Sequence, residues 1–150
     1  MFDATHHSLV VTLPSGPPPP VASVGTPTEL RGYISAIYTP SFFHLFDEEK
    51  QPELGERLAV LLDPRPGSII FGSHLGIPAK GHPPDIFKEI FCHSPESWTQ
   101  LWEEQIFEKG QVRVNAVLEE WDAGIKRRDK VVPVEEGTKS YWFFWSVERL

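Results

Sequence analysis

The sequence predicts an α/β fold: a parallel strand, helix, strand unit followed by an antiparallel hairpin at the carboxyl end. Three observations predict it. Residues 33 to 38 place Ile34, Ala36 and Ile37 without strict alternation, as a strand covered on both faces does. Downstream, Leu54, Leu58, Leu61 and Leu62 recur at i, i+4, i+7 and i+8, one apolar stripe of a helix, and residues 68 to 75 carry the β-branched and aromatic content of a second strand. Near the end Val112, Val114 and Ala116 alternate cleanly, and residues 140 to 150 are very aromatic, so two strands joined by a long loop can pair as a wide hairpin.

The amino end is read as a separate segment. Residues 8 to 13 have strand propensity, but little fixes their place. Fifteen prolines include Pro14 and Pro17 to Pro20, which disfavour ladder pairing and prefer an extended backbone. Residues 1 to 30 are therefore expected to be a flexible Pro-rich tether, more plausibly a linker than a ligand for SH3-like or WW-like domains. Residues 31 to 150 form the folded part.

Within that part, Pro40 stops the first strand. Asp47 is a good helix N-cap, and Glu48 and Glu49 suit the positive end of the helix. Pro52 and Gly55 predict a break or a late start near Pro52. Asp63, Pro64, Pro66 and Gly67 make a turn that ends the helix. After the second strand, Gly76, Pro78 and Gly81 predict an exposed, mobile loop. A second helix opens with Ser94 as cap, Pro95 at its first position and Glu96 in its first turn. Trp98, Leu101, Trp102, Gln105 and Ile106 share one face, and Lys109 and Gly110 are expected to end it. Residues 122 to 139 mix charges of both signs, as a solvated loop does.

Composition excludes several functions. A chain of 150 residues with 40% hydrophobic and 23% charged residues suits one soluble domain. Its net charge of −7 lacks the basic footprint of a nucleic-acid or anionic-membrane binder. The single cysteine, Cys92, rules out an intramolecular disulfide framework and fits a reducing compartment, so a cytoplasmic location is expected. No run approaches the roughly 20 apolar residues of a membrane span.

Four segments carry a family likeness: residues 41 to 46 (Ser-Phe-Phe-His-Leu-Phe), 61 to 67 (Leu-Leu-Asp-Pro-Arg-Pro-Gly), 91 to 98 (Phe-Cys-His-Ser-Pro-Glu-Ser-Trp) with Leu101 and Trp102, and 144 to 150 (Phe-Trp-Ser-Val-Glu-Arg-Leu). In order and spacing they resemble the C-terminal half of the class I SAM-dependent methyltransferases of fungal secondary metabolism. The resemblance implies an incomplete Rossmann-like, doubly wound sheet whose fourth and fifth strands are residues 33 to 38 and 68 to 75. It also implies a last strand inserted antiparallel between the fifth and sixth, and S-adenosyl-L-methionine as cofactor. The turn after the fourth strand would lie near the sulfonium and the acceptor, which makes Thr39, Pro40, Ser41, Phe42, Phe43 and His44 the positions of interest.

The sequence also departs from that pattern. Neither the glycine-rich loop after the first strand nor the acidic residue after the second can be placed, so cofactor-binding residues stay unassigned and the chain reads as truncated. Thr39 and Pro40 stand where a small residue and glycine are expected, and Glu48 where an aromatic is usual. Without the first three strands, residues 33 to 38 become an exposed apolar edge prone to self-association. Three outcomes are then open: residues 8 to 13 cover it, two chains pair there as a homodimer, or the chain is unstable alone.

The candidate site follows. His44 is the candidate catalytic base, its intrinsic pKa being suitable, with packing or capping of the turn as the competing role. Thr39, Ser41, Phe42, Phe43 and Phe46 are candidate substrate contacts; Ser41 lacks the elbow of a nucleophilic serine. Phe42, Phe43 and Phe46 are expected to form a partly open aromatic surface. His74, His82, Cys92 and His93 lack the close ligand pairs of a zinc site, so no metal is expected. Phe87, Phe91, Trp98, Trp102, Trp142, Phe143, Phe144 and Trp145 are read mainly as core. The function expected is SAM-dependent O-methylation of a small apolar polyketide or terpenoid at a hydroxyl or carboxyl. The alternatives are a pseudo-methyltransferase serving as a ligand-binding, cyclase-like or dimerising module without SAM, and an inactive gene-model fragment.

Overall fold

The computed structural model describes residues 13–84, 88–121 and 139–150, with Trp121 by its backbone. The expected strand at residues 8 to 13, apart from Leu13, lies outside the described residues, as does almost all of the expected loop at 122 to 139. Four strands form one sheet in the order β1-β2-β4-β3: β1 (Ala36–Tyr38), β2 (Ile69–Gly76), β3 (Val112–Trp121) and β4 (Ser140–Arg149). β1 pairs parallel with β2, while β4 runs antiparallel to both β2 and β3. The last strand thus inserts between β2 and β3, as the resemblance implies for the carboxyl end.

Helix α1 (Lys50–Leu61) is the crossover between the parallel strands. Asp47 caps it, its Oδ1 accepting from the Lys50 amide at 2.9 Å. Pro52 falls in the first turn, where its missing N–H costs nothing, so the helix starts late and does not break. Its fully buried line is Gln51, Gly55 and Ala59, and of the leucine stripe Leu62, just past the helix, is fully buried in the core. Gly55 sets the buried line: a Cβ there would sit 2.3 Å from Ile106 Cδ1 and 3.4 Å from Trp102, so the helix approaches the next one through its small residues. Leu54 and Leu58 flank that contact, partly buried.

Helix α2 (Pro95–Gln100) is capped by Ser94, whose Oγ accepts from the Ser97 amide, with Pro95 at its first position. It runs directly into a π-helical segment, Leu101–Ile106. Trp98, Leu101, Trp102 and Ile106 are buried, but Gln105 is exposed. The expected stop at Lys109 and Gly110 comes earlier, after Ile106; Gly110, at φ +89°, instead makes the turn into β3. In β3 the alternation holds, with Val112, Val114, Ala116 and Leu118 toward the core and Arg113, Asn115, Val117 and Glu119 exposed.

α1 and α2 pack against the same face of the sheet, around a core of Phe43, Ala59, Leu62, Ile70, Trp98, Trp102, Phe143, Trp145 and Val147. Gly72 and Gly76 on that face of β2 leave room for it. A Cβ at Gly72 would lie 2.4 Å from the Thr39 carbonyl oxygen and 2.9 Å from Trp145, so glycine lets the end of β1 and the indole close over the strand. The opposite face carries Tyr38, Phe71, Phe144 and Val117 exposed. A first strand covered on both faces is therefore a wrong expectation: β1 is three residues long, sits at the sheet edge, and has Tyr38 61% exposed and stacked on Phe71. Among the described residues no strand lies on its outer side.

Residues 13 to 30 lie mostly on the surface, with short 3-10 turns at Val21–Ser23 and Pro27–Leu30. The Tyr33 hydroxyl donates to the Gly16 carbonyl at 3.0 Å, attaching the proline-rich stretch beside the start of β1.

Candidate functional site

The turn after β1 is tightly fixed. Its amides continue the parallel ladder, Thr39 N–H donating to Phe71 O at 2.9 Å and Ser41 N–H to Ser73 O at 2.6 Å. Ser41 takes a left-handed backbone, φ +48°, unusual for a residue with a side chain. That reversal carries the chain over the carboxyl ends of β1 and β2, where ligands of open α/β sheets bind.

A cavity of about 550 Å³ lies there, within the range of small-molecule sites. One wall is the segment between β1 and α1: His44, Leu45, Phe46, Asp47, Glu48 and Glu49. The other belongs to the segment between β2 and α2: His82, Glu89, Ile90 and Phe91. Gln51, buried at the start of α1, ties the walls together, its Nε2 donating to Phe46 O at 2.9 Å and Phe91 O at 3.3 Å. Lys80 pairs with Glu48 at 2.6 Å, and the His82 Nδ1 proton goes to Ile90 O at 3.2 Å. Asp47 and Glu48 are thus engaged, one as a cap and one in an ion pair.

The expected site residues separate in space. His44 and Phe46 line the cavity. Phe42 is half-buried and packs edge-on against Phe46 at 5.4 Å. Phe43 is fully buried, its ring 4.9 Å from Trp98 and 5.6 Å from Trp145, so it anchors the turn from below. Of the expected partly open aromatic surface, Phe42 and Phe46 are half-buried and Phe46 faces the cavity, whereas Phe43 is turned into the core; the exposed apolar group of the turn is Leu45. Thr39 is buried, its Oγ1 without a partner among the described residues, while Ser41 is exposed.

Histidines dominate the electrostatics beneath the cavity. The Leu75 amide of β2 donates to His44 Nδ1 at 3.4 Å, and the Trp145 indole N–H to His74 Nδ1 at 3.1 Å. Burial lowers the pKa of His44. It pushes His74 down to about 3, aided by His44 and His93. His93, whose Nδ1 is 2.9 Å from Ser97 Oγ, is pushed down to about 4 by burial and then by Lys80, with Glu48 opposing. All three favour the neutral form at pH 7.

The candidate zinc set does not converge: among the described residues no group of three or more His, Cys, Asp or Glu is placed to hold a metal ion. Of the aromatic set, Phe91, Trp98, Trp102, Phe143 and Trp145 are core, Phe144 is 42% exposed, and Phe87 lies outside the described residues. Gln51, Glu89 and Ile90 are site residues that the sequence did not single out. A glutamine immediately before a proline in a helix's first turn carries no sign that its amide bridges two loops. No helix among the described residues is long and apolar enough to cross a membrane.

No family model matches the chain. Curated relatives do. It is 36% identical over 84 residues to the O-methyltransferase phiE of Fungal sp. (strain ATCC 74256), covering 55% of this chain and 28% of that protein. It is 32% identical over 78 residues to methyltransferase adrK of Penicillium roqueforti, 51% and 28% of the two chains. With the Asnovolin E/Chermesin D methyltransferase nvfJ of Aspergillus novofumigatus the identity is 29% over 97 residues, 63% and 34%. Over about half its length or somewhat more, then, the chain is homologous to fungal secondary-metabolite methyltransferases, of whose own length it spans about a third or less.

Proposed function

We propose that this chain supplies the acceptor side of a SAM-dependent O-methyltransferase of fungal secondary metabolism, acting on a hydroxyl or carboxyl of a small polyketide or terpenoid. One observation carries it: a chain homologous to named methyltransferases has its cavity outside the carboxyl ends of two parallel strands, walled by His44, Phe46 and Phe91. In this reading Phe46, Leu45, Ile90 and Phe91 hold an apolar skeleton, and His44 meets the acceptor oxygen.

The described residues offer SAM few contacts of their own. The amides of Thr39 and Ser41 at the turn are spent on Phe71 O and Ser73 O. When bound, SAM would supply the methyl group. What this chain contributes is positioning and exclusion of water, terms that alone can account for large rate effects. Gln51 holds the two walls at fixed separation and Phe43 fixes the height of the turn.

The test is transfer of radiolabelled methyl from SAM to a panel of aromatic polyketide and terpenoid acids and alcohols by the full chain. Labelled product with at least one acceptor is expected, and loss of the label when Phe46 is replaced by aspartate. Acceptor binding with no labelled product from any member would reject methyl transfer by this chain.

A further inference from the structure

His44 lines the cavity with one ring nitrogen already committed. The Leu75 amide, which donates to Nδ1 at 3.4 Å, is a main-chain group that can only donate. Nδ1 must therefore present its lone pair. In a neutral imidazole one nitrogen holds the proton and the other accepts, so the proton of His44 resides on Nε2. His74, the residue before Leu75, is held in the same sense by the Trp145 indole, another obligate donor. Protonating His44 would set an Nδ1–H against the Leu75 N–H, a conflict that acts in the same direction as the burial that lowers its pKa.

We infer that His44 works in this site as a fixed hydrogen-bond donor through Nε2, a positioning residue that orients the acceptor oxygen, and not as the base that removes its proton. The inference rests on the reading that the cavity receives the acceptor. A general base needs a free lone pair within reach of the proton it takes. The lone pair of His44 faces Leu75, and moving the proton to Nδ1 would break that bond. An acceptor oxygen that arrives already ionised needs no base at His44, and a hydrogen bond to it is charge-assisted and stronger than a neutral one.

The experiment is a long-range ¹H–¹⁵N correlation spectrum of the ¹⁵N-labelled full chain above pH 7, with the His44 ring identified by its loss in His44→Gln. Expected are an unprotonated Nδ1 and a protonated Nε2, and a shift of the Nε2 proton when the protein is titrated with benzoate as an oxyanion probe. His44→Gln, which keeps a side-chain N–H donor, should bind benzoate within a few-fold of wild type, while His44→Phe should bind roughly tenfold or more weakly. A proton on Nδ1, an Nε2 proton indifferent to bound benzoate, or no benzoate binding at all overturns the inference. The methyl-transfer reading fails separately. A chain with the stated tautomer and no transferase activity rejects that reading alone, and an active chain protonated on Nδ1 rejects only the role given to His44.

Discussion

Replacing Trp98 by alanine is expected to lower stability by about 3–5 kcal/mol, the range for a large aromatic removed from a core. Trp98 is fully buried, with its ring 4.8 Å from Trp145, 4.9 Å from Phe43, 5.2 Å from His74 and 5.3 Å from His93. It joins the helix face, the sheet and the turn that carries His44. Domains are stable by only about 5–15 kcal/mol in total, so the alanine variant is expected to be largely unfolded at moderate denaturant. Trp98→Phe separates packing from chemistry. The indole Nε1 has no partner among the described residues, so phenylalanine keeps most of the ring contacts and removes an unsatisfied donor, whose burial costs about 1–3 kcal/mol. The phenylalanine variant should lose less than half of what the alanine variant loses. Urea denaturation of both variants checks this, and equal losses would show that the indole N–H is satisfied in solution.

Acid should destabilise this protein well above the range where carboxylates titrate. His74 and His93 have folded pKa values of about 3 and about 4 against 6.5 for an unperturbed histidine. As pH falls below 6.5, the unfolded chain takes up protons at both positions while the folded chain does not. Stability therefore is fully present above pH 6.5 and is lost as pH falls toward the folded values. Each histidine contributes a slope of about 1.4 kcal/mol per pH unit, so the two together cost roughly 4 kcal/mol between pH 7 and pH 5. His44, also lowered by burial, adds in the same direction. Chemical denaturation at pH 7.5, 6 and 5 measures it; a stability flat over that interval would mean that His74 and His93 are open to water. The cause is physical and local: burial inside an aromatic core disfavours the charged imidazole at both positions, and at His93 the opposing pull of Glu48 is outweighed by burial and Lys80.

Several parts of this architecture were legible in the residues. Ser94 and Pro95 announced a helix start because capping chemistry is local, and Val112, Val114 and Ala116 announced a one-sided strand because their period is that of the pleat. The leucine stripe of α1 marks the face that meets the core, with Leu54, Leu58 and Leu62 packed there, but the line of closest approach lies beside it, because a helix packs where it can approach most closely and Gly55 against Ile106 decides that contact. No property of Leu101 to Ile106 in isolation distinguishes a π-helical turn from an α-helical one. β1 was overextended because a run of Ile and Ala reads alike at a sheet centre and at an edge; its partners, not its residues, set the difference. At the site, the aromatic turn and His44 were visible as a motif, whereas Phe43 turned inward because Trp98 and Trp145 stand beneath it. The Gln51 bridge and the Leu75 amide on His44 are tertiary facts, joining residues 40 and 31 positions apart.

The proposed function stands or falls most directly on calorimetric titration of the full chain with SAM, run alone and in the presence of an acceptor that the chain binds. Because the amides of the β1 turn are already used, binding is expected to be weak, measurable at millimolar SAM, and to strengthen when the acceptor fills the cavity beside His44 and Phe46. Absence of heat and of any thermal shift at millimolar SAM, with the acceptor bound, would contradict it.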